Sequence, residues 1–202
     1  MQKIADLESL ARPFYGDGSH GWNHIQDVLS HARQLKGAPL TEDETAAVMF
    51  HDSSLTSGPR ETHADDSAAI ARRVLGPLMA KRRVERIAKA IARHRASYKG
   101  RRYTFLDDLL SSADRNDPDD IRQYFDRSLR WGLENGLSDR EAIDNAFEHI
   151  PAKYGRGGYA FSNAPRLYMK ANRAKLERAW DEIARMSKAD LAKMLEGIKA
   201  EG

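Results

Sequence analysis

The chain contains no cysteine in 202 residues. That excludes disulfides and thiolate metal sites, and leaves His, Asp and Glu as the strong metal ligands on offer. No apolar run approaches the roughly 20 residues needed to cross a bilayer, so no membrane partner is expected. Neither charge sign dominates: 33 Lys and Arg stand against 30 Asp and Glu, for a net charge of +3. A general nucleic-acid binder would more often show one dominant basic face, so nucleic acid is not an expected partner. Strand-like alternation is scarce, and neither an internal repeat nor a low-complexity segment is present. The opening residues, MQKIADLESLARPF, carry acids and no uninterrupted apolar stretch. They read as neither a secretory signal nor a transit peptide, and cytoplasmic residence is the expectation.

What is present is a helical pattern. Hydrophobic residues make up 41% and charged residues 31%, the balance of a soluble domain with a core of its own. Apolar positions recur at three and four, which predicts an all-α fold. Helices are expected over 4–11, 22–35, 42–52, 63–75, 79–94, 105–114, 121–133 and 139–149. The segment 165–200 reads as two amphipathic helices broken near Ser187. Thr41 and Glu44 have the spacing of a capping box that opens the third helix. Residues 1–150 are expected to form a helical core, with 151–202 a loop and helices packed on the same domain.

His and Asp residues gather at the ends of these helices. His24 lies early in one, His51-Asp52 ends an apolar one, His63 begins another, and His94 and Asp114 each close one. Helix ends let side chains converge on one point from several directions. Imidazole and carboxylate suit a divalent ion such as Mn, Fe, Co, Ni, Zn or Mg. The run Ala46-Ala47-Val48-Met49-Phe50 before the pair would bury the helix that delivers it. An ionised Asp52 directly after such a run is costly to bury unless it meets a cation. Taken alone, the dipeptide is as well read as the exposed end of a helix.

The ordered set His24, His51-Asp52, Asp114 resembles the signature of the HD-domain superfamily of metal-dependent phosphohydrolases. The surrounding text resembles it too, in Ser19-His20-Gly21-Trp22-Asn23-His24-Ile25 and in Leu109-Leu110-Ser111-Ser112-Ala113-Asp114-Arg115. The resemblance spans roughly residues 15–120. It implies an HD-domain helical bundle with a C-terminal helical extension, and one or two divalent metal ions as cofactor. His63 and His94 resemble the added ligands of subfamilies that hold two metals. One ion would then take His24, His51, Asp52 and Asp114, and the second Asp52, His63 and His94. Otherwise His63 is a helix-start residue and His94 a partner for a helix C-terminus.

The chemistry implied is hydrolysis by metal-activated water, with Asp52 central. The substrate implied is a nucleotide or related small phosphate compound. Arg115, Lys99, Arg101 and Arg102 are candidate phosphate contacts, each with ordinary surface charge as its alternative. His20, in a glycine-flanked loop, is assigned to substrate contact or proton transfer. The cluster Lys81-Arg82-Arg83 with Arg86 and Lys89 reads either as a solvated face or as attraction for an anion. His31 and His149 read as unremarkable. The loop Tyr154-Gly155-Arg156-Gly157-Gly158-Tyr159 lacks phosphate-loop spacing and reads as a turn or lid. Cleavage of a small phosphate ester or anhydride is favoured over that of a cyclic dinucleotide, because no Gly-Tyr-Pro insertion follows the His-Asp pair. Two other classes share the fold: a catalytically idle ligand sensor, and a di-iron oxygenase. A homo-oligomer is compatible with the chain.

Overall fold

The structure, a computed structural model, describes residues 6–16, 21–55, 57–115, 118–162 and 164–200. All regular structure among them is helical, as the three-and-four periodicity predicts. No helix among them is long and apolar enough to cross a membrane. The chain packs as two units, one of residues 1–115 and 164–171, the other of 116–163 and 172–202.

The first unit contains α1 (Leu7–Ala11), a 3-10 turn (Arg12–Phe14), α2 (Trp22–Lys36), α3 (Glu42–Phe50), α4 (His63–Leu75), α5 (Lys81–Ala92), α6 (Phe105–Ala113) and the start of α10 (Arg166–Arg185). Its core is aliphatic and continuous, with Ile25 and Leu29 from α2, Phe50 from α3, Leu75 from α4, Ile87 and Ile91 from α5, and Leu109 and Leu110 from α6. A fully buried side chain of this kind contributes roughly 1.5–3 kcal/mol. Helix α3 is buried along almost its whole length, at Asp43 and Glu44 and from Ala46 to Phe50.

Local chemistry sets the helix ends. Thr41 and Glu44 form the expected capping box at α3. Thr104 and Asp107 form a second at α6. Gly37 ends α2 in the left-handed region at φ 67, where a side chain would be strained. Helix α5 is shorter than expected. Ala80 is extended at its start. At its end Arg93 N–H bonds to Ala90 and His94 N–H to Ile91, a tightened turn that takes His94 off the helix.

The second unit contains a 3-10 turn (Pro118–Asp120), α7 (Ile121–Glu134), α8 (Asp139–Tyr154), α9 (Tyr159–Ser162), the rest of α10 and α11 (Lys188–Ala200). Phe125 and Leu129, Ala146 and Ile150, Ala179 and Ile183, Leu191 and Leu195 build its core. Helix α8 runs through Pro151, past the expected end at 149. Proline removes one N–H, yet Ile150 is buried and Gly155 N–H closes the last turn on the Pro151 carbonyl. The glycine-rich segment is a tight turn: Gly157 has φ 82, and a Cβ on Gly158 would meet the Lys153 carbonyl at 2.6 Å.

Candidate metal centre

Five elements of the first unit deliver the cluster. His24 is in the first turn of α2, His51 caps α3 with Asp52 next, and His63 opens α4. His94 follows α5, and Asp114 caps α6. The structure brings these six residues together in two groups, His24, His51, Asp52 and Asp114, and Asp52, His63 and His94. His51, Asp52, His63 and His94 are buried.

Asp52 belongs to both groups, one oxygen to each. Its Oδ2 lies 3.8 Å from His24 Nε2 and 3.5 Å from His51 Nε2. Its Oδ1 lies 3.3 Å from His63 Nε2 and 3.4 Å from His94 Nε2. Asp114 Oδ1 completes the first group, 3.3 Å from His24 and 3.4 Å from His51, and its Oδ2 is 3.8 Å from His94. Nitrogen and oxygen ligands of one ion, each about 2.1 Å from it, sit roughly 3.0–3.5 Å apart. Most of these separations fall in that range.

The donor set tests whether a cation fits. His51 Nδ1 bonds the Val48 carbonyl at 2.7 Å, His63 Nδ1 the Arg60 carbonyl at 2.8 Å, and His94 Nδ1 the Ile91 carbonyl at 2.6 Å. A carbonyl only accepts, so each Nδ1 carries a proton, and a ring in its neutral form turns a lone pair on Nε2 inward. Those lone pairs meet carboxylate oxygens and one another, with His63 and His94 Nε2 at 3.4 Å. His51 Nε2 is buried and makes no well-formed hydrogen bond. Lone pairs facing lone pairs repel; a cation between them makes each contact attractive. The residues therefore fit a divalent ion, and both groups could hold one.

Electrostatics agrees. Burial pushes His51 down, but the carboxylates of Asp52 and Asp114 and the Val48 carbonyl outweigh it and raise the imidazole to about 9. Burial alone would raise Asp114, yet His24, His51 and His94 hold it well below the usual carboxylate range. The pocket favours positive charge at its centre.

A surrounding layer, which no motif in the sequence singled out, fixes the ligands. Ser54 Oγ donates to the His63 carbonyl at 2.9 Å, and Ser111 Oγ to the His94 carbonyl at 2.7 Å. Tyr15 donates to the Met49 carbonyl at 2.8 Å. His31, which the sequence left unremarkable, bonds through Nδ1 to the carbonyl of Ala113, the residue before Asp114, at 2.9 Å. The one available clue was small polar residues within apolar helices, as in Leu110-Ser111-Ser112-Ala113.

The basic candidates separate. Arg115 is buried, with its Nη1 on the Ser111 carbonyl and hydroxyl. Arg102 is half-buried beside it; Arg101 lies over the exposed ring of Tyr103, and Lys99 is exposed. His20 lies outside the described residues. In the other basic cluster, Arg83 pairs with Glu42 and Asp43, and Arg86 with Asp43. These two arginines tie α5 to the acidic first turn of α3. No family model, no curated protein and no solved structure matches the chain.

Proposed function

We propose that the chain is a metal-dependent phosphohydrolase, cleaving a phosphoester or phosphoanhydride bond of a nucleotide or related small phosphate compound. The observation that supports this best is the split carboxylate of Asp52, with one oxygen toward His24 and His51 and the other toward His63 and His94. The order of His24, His51, Asp52 and Asp114 resembles the HD-domain signature and points the same way. Divalent ions held there would supply Lewis acidity and acidify a water near neutral pH.

The chain's own residues do the rest. His51, His63 and His94 present Nε2 because their Nδ1–H groups are committed to backbone carbonyls. Asp114, held below the usual carboxylate range, stays ionised, and the Asp52 carboxylate faces both groups. The guanidinium of Arg115, next to Asp114, offsets the charge of a phosphoryl group. The sensor alternative calls for a lost ligand, and all six are present and gathered. The oxygenase alternative uses the same ligand types and is separated by assay.

The test is phosphate release across nucleotides and sugar phosphates with Mn, Co, Ni, Mg or Zn, with oxygen consumption followed in parallel. Release with at least one ion, abolished in Asp52→Ala and independent of oxygen, is expected. Silence across the whole screen, or full activity in Asp52→Ala, contradicts the proposal.

A further inference from the structure

Arg115 is only 8% exposed. A buried guanidinium loses hydration that other groups must replace. Only its Nη1 is satisfied, by the Ser111 carbonyl at 2.6 Å and the Ser111 hydroxyl at 2.8 Å. Its Nε and Nη2 are buried and have no hydrogen-bond partner among the described residues. The ring of Tyr168 lies 5.9 Å from the guanidinium carbon, a contact that attracts the charge but accepts no N–H bond. The nearby carboxylates are occupied: Asp114 by imidazoles, and Asp108 by the backbone N–H groups of Arg166 and Leu167, at 2.8 and 3.2 Å.

A second positive charge stands beside it. Arg102 donates to the Arg95 carbonyl at 3.0 Å and lies over the ring of Tyr98 at 5.5 Å. Arg102 is half-buried and Arg115 buried, and the carboxylate of Asp108 acts on both. Asp108, Asp107 and Asp114 already bring negative charge near the two guanidiniums, so the attraction for a further anion rests on the unused donors of Arg115. A purely structural role is met by Nη1. It leaves unused the Nε–Nη2 edge, the fork that matches two oxygens of a phosphate.

We infer that Arg115 and Arg102 form a phosphate subsite beside the metal ligands, which takes the phosphate next to the one that reacts. The substrate class is then a phosphoanhydride, a nucleoside di- or triphosphate in preference to a monophosphate. The substrate class rests on the reaction proposed above; the subsite rests on the two guanidiniums. The connection to the centre is short. Arg115 follows Asp114, and the Ser111 hydroxyl that accepts from Arg115 donates to the carbonyl of His94. In cleavage the oxygen of water bonds to the reacting phosphorus and the bridging P–O bond breaks. The bridging oxygen leaves with the phosphate on the guanidiniums, and the proton of water passes to solvent.

The test titrates methylenediphosphonate, an uncleavable diphosphate, and methylphosphonate into the full metal-loaded chain and into its Arg102→Gln and Arg115→Lys variants. Circular dichroism and metal content check each variant. The wild type should prefer the diphosphonate, and each variant should lose about tenfold or more of that preference with fold and metal unchanged. Arg102→Gln, at the more exposed position, keeps the test valid if Arg115→Lys is destabilised. Equal affinity for both probes in the wild type, or a preference untouched in the variants, overturns the subsite. Turnover in the phosphate screen with an unaltered preference sinks the subsite and keeps the hydrolase. A preference lost in the variants without turnover keeps the subsite and sinks the hydrolase.

Discussion

His51, His63 and His94 share one local device: each bonds through Nδ1 to the carbonyl three residues before it. The backbone thus chooses the tautomer and aims Nε2. Serine hydroxyls hold the next layer, and Ser111 serves twice, donating to the His94 carbonyl and accepting from Arg115. Outer-shell partners of metal ligands are typically worth 10–100-fold in affinity. Ser111→Ala is therefore expected to weaken metal binding about tenfold, read by competition with a chromogenic chelator. Unchanged affinity would mean that the hydroxyl only packs. The ligand types could be read from the chain because His and Asp stand out at helix ends. The serines could not, because small polar residues within apolar helices are common without a role.

At the scale of elements, α3 is the best-anchored carrier. Its first turn is acidic and meets cations from two other helices, Lys36 of α2 and Arg83 and Arg86 of α5. Acids there also suit the helix dipole. Burial would raise the pKa of Glu44, but the Lys36 ammonium and the backbone and hydroxyl of Thr41 outweigh it and hold the carboxyl below its ordinary value. A depressed carboxylate stabilises the fold above its unfolded pKa, and the contribution fades as pH falls through the folded value. Glu44→Gln should thus lower stability by about 1–2 kcal/mol at pH 7. The gap to wild type should close below about pH 4.5. Thermal midpoints against pH measure it, and a gap constant down to pH 3 contradicts it. This capping box was visible in the sequence because Thr41 and Glu44 have the right spacing. The passage of α8 through Pro151 was not, since proline forbids a local bond while burial of Ile150 acts through tertiary packing. The early end of α5 escaped for a related reason, as the apolar stripe continues to Ile91 but the last bonds tighten.

Across the whole molecule, the six ligands predicted from helix ends and resemblance lie together in the first unit, drawn from positions up to 90 residues apart between His24 and Asp114. The resemblance already gave Asp52 to both groups; what no sequence pattern could supply was which oxygen faces which group, because that depends on how the carboxylate is turned. Nor could it separate Arg115, buried with most of its donors unused, from Lys99 and Arg101 on an exposed loop. If the proposal holds, Asp52 joins two ion sites. Metal content per chain by plasma mass spectrometry, after loading and removal of loose ions, tests it most directly. Two equivalents are expected in the wild type and one in His63→Ala/His94→Ala. The same metal content in both proteins would contradict it.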